Sequence, residues 1–460
     1  MSPLFHLPPY KLIYYLASES SIIMGSKMRC ILLLLDGLGD RSHPLLGGMT
    51  PLQAAHTPNL DRIASVGMNG LFHAHLQGTA LPSELAHFLM FGYRLEEFPG
   101  RGVVEALGEG LDIREGDVAL LARIFSVTEE QGRLVLTHED PILDWESRRI
   151  LHDAIRRFSR DGIETEFLPT KGIGGILRLR GDVSKHITDS NPITEGRPLM
   201  EIMPLRSMCD DVRSRNTARF LNEYLRWSYR TLSEHPLNME RAGQGLFPIN
   251  AVGTQRAGML SDLPSFMDKW GLRGLLIASG SVYHGLGRVV GMETLRMKDT
   301  DDPAADLRER LETAYRAKEY DFIHVHTKAT DEAGHTRDPL VKKRVIEEID
   351  VALDYALAEI IPDDDVLFIV TADHSTASSG SMIHTGESVP LVMTGKYMRR
   401  DFVSQFDEVS CAAGGLGLVR GNELMYLVLN FLDRGKLQGL MDSPDDQPFT
   451  PGPYTALKID

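Results

Sequence analysis

The chain has 460 residues, of which 42% are apolar and 25% are charged, so it can bury a large core, and its length favours two or three domains. The formal net charge of −15 argues against a nucleic-acid partner, because phosphate backbones are bound by a surplus of lysine and arginine. No stretch is apolar enough to span a bilayer, which argues against a membrane protein.

The cysteines and the N-terminal residues indicate in which cellular compartment the protein is expected. Cys30, Cys209 and Cys411 lie far apart without a C-x-x-C spacing, so neither a disulfide framework nor a thiolate metal site is indicated, and a reducing cytoplasm fits. Residues 1–27 lack a basic segment followed by a compact apolar one, so they make a poor secretory signal. We expect them to form a loose N-terminal extension.

The first half of the chain contains a buried strand followed by two helices. The run from Cys30 to Leu35 is continuously apolar and ends at Asp36, as expected of a parallel strand buried on both faces. Thr57-Pro58 is typical of a helix start, and a further helix is predicted from Ser83 to Phe91.

Between about residues 113 and 270 the pattern changes. Short strand-like runs, Leu134 to Leu136 and Gly175 to Leu179, mix with helices such as Thr217 to Leu232. We expect an inserted α+β domain that caps the site and helps to choose the substrate. It divides the core into residues 28–112 and 271–460.

The second half alternates strands with helices. Strands are predicted from Asp321 to His326, Val366 to Val370 and Val389 to Met393, with one long amphipathic helix whose apolar face runs from Val341 to Ile360. This alternation predicts an α/β fold with a doubly wound, mostly parallel sheet. Such sheets build their sites at the carboxyl ends of the strands.

Two residues of the first half are candidates for chemistry, and each has a purely structural alternative. Asp36 precedes a glycine after a strand, which is most often only a turn. Ser83 precedes an apolar helix, where serine is usually an N-cap. A helix N-terminus also stabilises a serine alkoxide and an incoming phosphate, so Ser83 can be a nucleophile as well.

The second half supplies acids and histidines near the ends of its strands. Asp331 and His335 are four residues apart and converge on one ion if the turn between them is helical, although this spacing is common by chance. Asp373 and His374 directly follow an apolar strand, and His384 lies shortly before another. Chance explains one such pair, but several together require a common cause.

Together these residues predict a two-metal phosphoryl-transfer site that carries its own nucleophile. Hard oxygen and imidazole ligands without a thiolate suit Mn²⁺, Zn²⁺ or Mg²⁺. The predicted set is Asp36, Ser83, Asp331, His335, Asp373, His374 and His384. A pair of ions would lower the pKa of the serine, neutralise the phosphate oxygens and hold the group for in-line displacement.

Several segments resemble the archaeal-type cofactor-independent phosphoglycerate mutases, which belong to the alkaline phosphatase superfamily. They are LLLDGLG (33–39), TPLQAAHTPNLD (50–61), PSELAHFLMFGY (82–93), GRGVVEALGEG (100–110), HPLNMERAGQGLFPIN (235–250), KATDEAGH (328–335) and TADHST (371–376). The resemblance covers nearly everything from Met28 to about Leu432. It implies an alkaline-phosphatase-like core with an inserted cap.

The resemblance also implies roles for the candidate residues. Asp331, His335 and His384 would hold one metal. The other metal would be held by Asp36, Asp373 and His374 with the oxygen of Ser83. Ser83 would carry a phosphoserine intermediate while the bound glycerate reorients, and the phosphate would return to the other hydroxyl.

The sequence departs from the family pattern around the expected substrate. A segment that usually reads Asp-Thr-Asp-Pro-His is here 189–193, DSNPI, which lacks an acid and a histidine. His284, a candidate catalytic residue, stands where the family usually has a lysine, and Thr336 stands where the family has an aspartate after His335. Arg256 and Arg288 remain as candidate phosphate or carboxylate ligands, with a solvated surface charge as the alternative for each.

These observations predict a phosphoglycerate mutase-like isomerase of glycolysis in the cytoplasm. Its expected cofactors are two divalent ions, Mn²⁺ first, with Zn²⁺ or Mg²⁺ as alternatives. Its expected partner is a small phosphorylated metabolite, and a homo-oligomer is possible. The alternatives are a metal-dependent phosphohydrolase or phosphotransferase acting on another metabolite, and a non-catalytic binding protein of the same fold.

Overall fold

The computed structural model describes residues 28–459, so the predicted extension, residues 1–27, lies outside the described residues. The strands are β1 (Arg29–Leu35), β2 (Met68–His73), β3 (Val118–Glu130), β4 (Arg133–His138), β5 (Arg157–Arg160), β6 (Ile163–Pro169), β7 (Gly174–Arg180), β8 (Ala251–Met259), β9 (Gly274–Ala278), β10 (Glu293–Arg296), β11 (Phe322–Thr327), β12 (Val366–Thr371), β13 (Val389–Thr394) and β14 (Gly417–Arg420). The α-helices are α1 (Pro51–Ala54), α2 (Pro58–Val66), α3 (Ser83–Met90), α4 (Arg101–Gly108), α5 (Trp145–Ala154), α6 (Val212–Ser233), α7 (Pro236–Gly243), α8 (Phe266–Trp270), α9 (Ser281–Val289), α10 (Pro303–Arg316), α11 (Ala329–His335), α12 (Pro339–Ala352) and α13 (Gly421–Phe431).

The main sheet has eight strands in the order β10-β9-β11-β1-β12-β13-β2-β14. β1 lies at its centre and pairs in parallel with β11 and β12. Every residue of β1, β11 and β12 is buried, which is why β1 and β12 are largely continuous apolar runs in the sequence, whereas β11 also buries His324 and His326. The predicted α/β fold with a mostly parallel sheet is confirmed.

β13 runs against the rest of the main sheet, because it is antiparallel to both β12 and β2. A parallel neighbour of β12 would need a crossover to the opposite edge. The chain between Thr371 and Val389 contains no helix, and it stays at the edge where β12 ends and β13 begins. Residues of this connection, including His384, are therefore kept close to the end of β12.

A second, antiparallel sheet is built from β3 to β8, all within the predicted insertion. It buries its own apolar cluster together with α6, which includes Phe220 and Leu221. α8 lies at the end of the predicted insertion, but its Phe266 and Trp270 pack into the main core. The division of the chain into domains stays a prediction.

The long amphipathic helix of the second half is interrupted. α12 ends at Ala352, and residues 356–360 form a separate turn of π-helix. The buried face is also displaced, because Lys342 and Ile346 are buried whereas Val341 and Val345 are only half-buried. Apolar periodicity therefore placed Ile349, Leu353, Ala356 and Ile360 correctly in the interior but missed Lys342, whose ammonium group finds polar partners inside the protein.

Candidate active site

The predicted residues meet at one edge of the main sheet. Asp36 follows β1, Asp373 follows β12, and α11 with Asp331 follows β11. These three strands are parallel neighbours, so their carboxyl ends lie side by side. The N-terminus of α3 approaches the same edge with Ser83.

Ser83 is the first residue of α3 rather than its N-cap, which is Pro82. The hydroxyl is therefore free of capping and points at the site. Its Oγ lies 3.0 Å from His374 Nε2 and 3.5 Å from Asp36 Oδ1. The α3 amides favour negative charge at this position, so the structure favours the nucleophile over the N-cap interpretation.

Four potential ligand atoms lie close together at Ser83: Ser83 Oγ, Asp36 Oδ1, His374 Nε2 and Asp373 Oδ2. Besides the two Ser83 contacts, His374 Nε2 lies 3.5 Å from Asp36 Oδ1 and 3.2 Å from Asp373 Oδ2. A tetrahedral ion with bonds of about 2.1 Å has ligand atoms about 3.4 Å apart. The spacing therefore matches a first-row divalent ion.

A second group of ligand atoms centres on Asp331. Its Oδ2 lies 3.2 Å from His335 Nε2, and its Oδ1 lies 3.6 Å from His384 Nε2. The ligand atoms of Asp331, His335 and His384 lie within 4.8 Å of one another, and so do those of Asp36, Asp331 and His374. Asp331 thus stands between the two groups.

The charges of the site also require a cation. The three aspartates of the site, Asp36, Asp331 and Asp373, are at most 2% exposed. Buried carboxylates need paired charges or metals, and Lys328 is the ammonium group that contacts two of them. Asp373 Oδ2 is buried and accepts no hydrogen bond within the described residues. The residues present therefore fit divalent metal ions.

Lys328 contacts Ser83 and one aspartate from each of the two groups of potential metal ligands. Its Nζ lies 2.7 Å from Asp331 Oδ2, 3.1 Å from Asp36 Oδ2 and 3.3 Å from Ser83 Oγ. Burial alone would lower the pKa of Lys328, but the charges of Asp36 and Asp331 outweigh burial and raise that pKa. For Asp36 the effects are reversed: burial would raise its pKa, but Lys328 and His326 hold that pKa well below its usual range.

A cleft of about 1150 Å³ opens from the site and is lined by residues of the main core and of the second sheet's segment. Six cationic side chains line it: Arg101, Lys171, Arg256, Arg296, Lys298 and Lys328. Within residues 28–459, Lys171 and Lys298 form no ion pair, so both ammonium groups can receive an anionic ligand. The cleft thus suits a small polyanion.

Arg256 reaches the site through a buried carboxylate. Its Nη1 donates to Glu84 Oε1 at 2.9 Å, and Arg101 Nη1 lies 3.5 Å from Glu84 Oε2. The backbone of Arg256 has a φ of 53°, and its N–H donates to Asp189 Oδ1 at 2.6 Å. Such a strained backbone is kept only where the surroundings hold it, which here places the guanidinium beside the nucleophile helix.

Two predicted substrate residues do not reach the cleft. His284 is 4% exposed, and its Nε2 lies 3.0 Å from the carbonyl oxygen of Ala278. Arg288 is exposed and donates to the carbonyl oxygen of Leu107 at 2.6 Å. Neither side chain is among the residues that line the cleft. The structure therefore does not bring His284 and Arg288 to the cleft, and a role for either in the reaction stays a prediction.

The other altered positions also lie outside the cleft. Asn191 is buried and accepts from the backbone N–H of Ile193, whose side chain is exposed. Thr336 follows α11, and its hydroxyl donates to the carbonyl oxygen of Ala333. The residues of this chain that replace the usual ones therefore make local structural contacts.

Sequence reasoning missed three polar residues of the site. Lys328 stands three residues before Asp331 in the quoted KATDEAGH segment, so its signal was present. His326 Nε2 lies 2.8 Å from Asp36 Oδ2 and was counted only as the end of an apolar strand. The hydroxyl of Tyr283 donates to Asp36 Oδ2 at 2.5 Å, and no local pattern marked it.

Comparisons with known proteins agree with this geometry. A family model described as the metalloenzyme superfamily matches residues 28–431. The 2,3-bisphosphoglycerate-independent phosphoglycerate mutase 2 of Methanocaldococcus jannaschii is 41% identical over 421 residues, which cover 90% of this chain and 95% of that protein. A 2,3-bisphosphoglycerate-independent phosphoglycerate mutase 1 from Archaeoglobus fulgidus is 35% identical over 90% of this chain and 100% of its own.

Solved structures give the same result. The cofactor-independent phosphoglycerate mutase of Thermoplasma acidophilum superposes with a TM-score of 0.62 at 32% identity, covering 88% of this chain and 100% of that one. A protein from Pyrococcus horikoshii superposes with a TM-score of 0.72 at 27% identity, covering 90% and 99%.

The fold and the site therefore define a member of the metalloenzyme superfamily. Within that class, the chain belongs to the family of 2,3-bisphosphoglycerate-independent phosphoglycerate mutases. The family resemblance seen in the sequence is confirmed, and so is the prediction of a metal-dependent enzyme.

Proposed function

We propose that this protein interconverts 2-phosphoglycerate and 3-phosphoglycerate through a phosphoserine at Ser83, with two bound divalent ions. The relatives named above carry this activity in their names. The observation that carries the proposal is the position of Ser83 Oγ. It lies at a helix N-terminus, 3.0 Å from His374 Nε2 and 3.3 Å from Lys328 Nζ.

In the first step Ser83 Oγ attacks the phosphorus of the substrate. The bond from phosphorus to the substrate oxygen breaks, a bond from phosphorus to Oγ forms, and the serine proton ends on the released glycerate. The positive charge of Lys328 and the N–H groups at the start of α3 stabilise the negative charge of the transferred phosphoryl group. In the second step the other hydroxyl of glycerate attacks the phosphoserine, and these bond changes are reversed.

Between the two steps the glycerate must turn without leaving. The cleft of about 1150 Å³ gives it room, and the surrounding cations oppose escape of its carboxylate. Arg256 and Arg101 are held beside Ser83 by Glu84, so they are well placed to receive the carboxylate or the phosphoryl group. Lys171, Arg296 and Lys298 also line the cleft.

The aspartates and histidines of the site would hold the metals. One ion would be bound by Asp331, His335 and His384, and the other by Asp36, Asp373 and His374 with the Ser83 oxygen. Such ions supply Lewis-acid stabilisation of the phosphoryl oxygens and make the hydroxyl of serine easier to deprotonate. Oxygen and imidazole ligands suit Mn²⁺, with Zn²⁺ or Mg²⁺ as alternatives.

We also propose that the enzyme works in the cytoplasm. Cys30, Cys209 and Cys411 are all free, as a reducing compartment requires. Within residues 28–459, no helix combines the length and the apolar character needed to cross a bilayer. Its partner would be a small phosphorylated metabolite, and a homo-oligomer stays a prediction.

Phosphorus NMR of the Mn²⁺-loaded protein with 3-phosphoglycerate tests this function directly. We expect the 2-phosphoglycerate resonance to grow to equilibrium without added 2,3-bisphosphoglycerate, and we expect Ser83→Ala to remove this activity while keeping the fold. Growth of inorganic phosphate alone would show a phosphohydrolase instead. An unchanged spectrum from a metal-loaded, folded protein would show a binding protein or another substrate.

A further inference from the structure

The two carboxylate oxygens of Asp36 have different surroundings. Oδ2 receives the hydroxyl of Tyr283 at 2.5 Å, lies 2.8 Å from His326 Nε2, and is 3.1 Å from Lys328 Nζ. Oδ1 instead lies 3.5 Å from both Ser83 Oγ and His374 Nε2. Three donors thus converge on one oxygen, and the potential metal ligands surround the other.

This arrangement decides which oxygen of Asp36 can bind a metal. A carboxylate oxygen has about two lone-pair directions, so three donors leave Oδ2 without capacity for an ion. A free carboxylate could rotate about its terminal bond and present either oxygen, because that torsion is broad. The donors on Oδ2 oppose this rotation and keep Oδ1 directed at Ser83.

Tyr283 is the neutral donor that comes from a separate segment. It lies in the first turn of α9, which follows β9, whereas His326 and Lys328 both lie at the end of β11. Its side chain is only 5% exposed, and its ring centroid lies 3.8 Å from that of His326. The ring is held by this contact, so its hydroxyl is fixed in direction.

We propose that Tyr283 is a positioning residue that fixes Asp36 as a one-oxygen metal ligand facing Ser83. The proposal rests on the mutase function proposed above, because only a metal site at Ser83 gives the orientation of Asp36 a consequence. The proposal also assigns a role to a different residue of the altered segment SVYHGLGR (281–288). Tyr283 bears on the reaction there, whereas the neighbouring His284 is directed into the interior.

Tyr283→Phe tests the proposal, since it removes one hydroxyl and keeps the ring contact with His326. We expect the affinity for Mn²⁺ of one of two sites, measured by titration with detection of free Mn²⁺ by electron paramagnetic resonance, to fall about tenfold. We expect kcat to fall about 10-fold to 100-fold, with KM for 3-phosphoglycerate changed by less than about twofold.

Tyr320→Phe is a matched control. Its hydroxyl donates to Glu293 Oε2 at 2.6 Å, far from the metal ligands in the fold, so both Mn²⁺ affinities and kcat should stay at wild-type values. Unchanged Mn²⁺ affinities in folded Tyr283→Phe would overturn the proposal, and so would a rise in KM at constant kcat, which would make Tyr283 a substrate ligand. Since Mn²⁺ binding needs no substrate, a wild type inactive on 3-phosphoglycerate would refute the proposed function while leaving this test intact.

Discussion

At the scale of single residues, the site depends on where a few charges are placed around Ser83. The metal-ligand candidates could be predicted, because acids and histidines directly after apolar strands are visible in the sequence. Tyr283 and Glu84 could not, because their roles depend on side-chain directions across different segments. His284 was misplaced for the same reason, since the face that a helical residue presents is not contained in a short motif.

Lys328→Met removes the ammonium group beside the nucleophile. We expect kcat to fall at least about 100-fold, because preorganised charge at the reacting group contributes several kcal/mol that water cannot replace. Steady-state kinetics with 3-phosphoglycerate measure this. Lys343→Met is the control, because Lys343 lies on the outer side of α12 and pairs with Glu347 at 2.6 Å. Equal kcat values for Lys328→Met and the wild type would contradict the role of Lys328.

At the scale of elements, the loops after β1 and β12 are held together by α12. Lys342 is fully buried, and its Nζ donates to the carbonyl oxygens of Gly37, Gly39 and Thr376 at 2.9, 2.8 and 2.7 Å. Its charge is balanced by Asp40 at 3.2 Å. Apolar periodicity predicted the existence of this helix, but a buried lysine in its packed face has no sequence pattern.

Lys342→Met should therefore destabilise the fold and loosen the site. It removes one donor from each of three carbonyl groups and removes the buried counter-charge of Asp40, so we expect the free energy of unfolding to fall by about 3 kcal/mol. Chemical denaturation of the metal-free protein measures this, again with Lys343→Met as the control, for which a change within about 0.5 kcal/mol is expected. A loss no larger than that of the control would show that Lys342 does not join these loops.

The chain after β13 places a titratable side chain, Glu408, next to the loop after β1 that contains Asp40. Burial raises the pKa of Glu408 to about 7. Its carboxylate accepts from the hydroxyl of Thr50 at 2.8 Å and from the N–H of Asp40 at 3.2 Å. An unfolded glutamate has a pKa near ~4.3, so between these values the folded chain holds a proton that the unfolded chain releases. This residue therefore lowers stability as pH rises from about 4.3 to about 7.

Glu408→Gln should remove that pH dependence, because glutamine does not titrate. Its single oxygen can accept from the N–H of Asp40, and its NH2 group can donate to the Thr50 hydroxyl oxygen. Relative to wild type, we expect the variant's gain in the free energy of unfolding to be about 2–3 kcal/mol larger at pH 8 than at pH 5. Urea denaturation at both pH values measures the difference. Glu348→Gln on exposed α12 surface is the control. A gain that is the same at both pH values would mean that Glu408 is not protonated in the folded protein.

At the scale of the whole molecule, two sheets with separate cores meet over the cleft. The mostly parallel core was predictable, because apolar strands alternate with helices at both ends of the chain. The change of hydrophobic pattern at about residue 113 predicts the inserted domain, and that division stays a prediction. The antiparallel course of β13 was not, since pairing direction depends on the path of the loop before it. That path explains how His384 joins ligands that are distant in sequence.

The most direct test of the central claim is the detection of phosphoserine at Ser83 during turnover. Mn²⁺-loaded protein is mixed with 3-phosphoglycerate, quenched in acid and digested, and the peptide that contains Ser83 is measured by mass spectrometry. We expect a gain of one phosphoryl group on Ser83 that disappears when substrate is exhausted or removed, and no gain in Ser83→Ala. Active isomerisation with an unmodified Ser83 at every quench time, or unreduced activity of Ser83→Ala, would contradict the account.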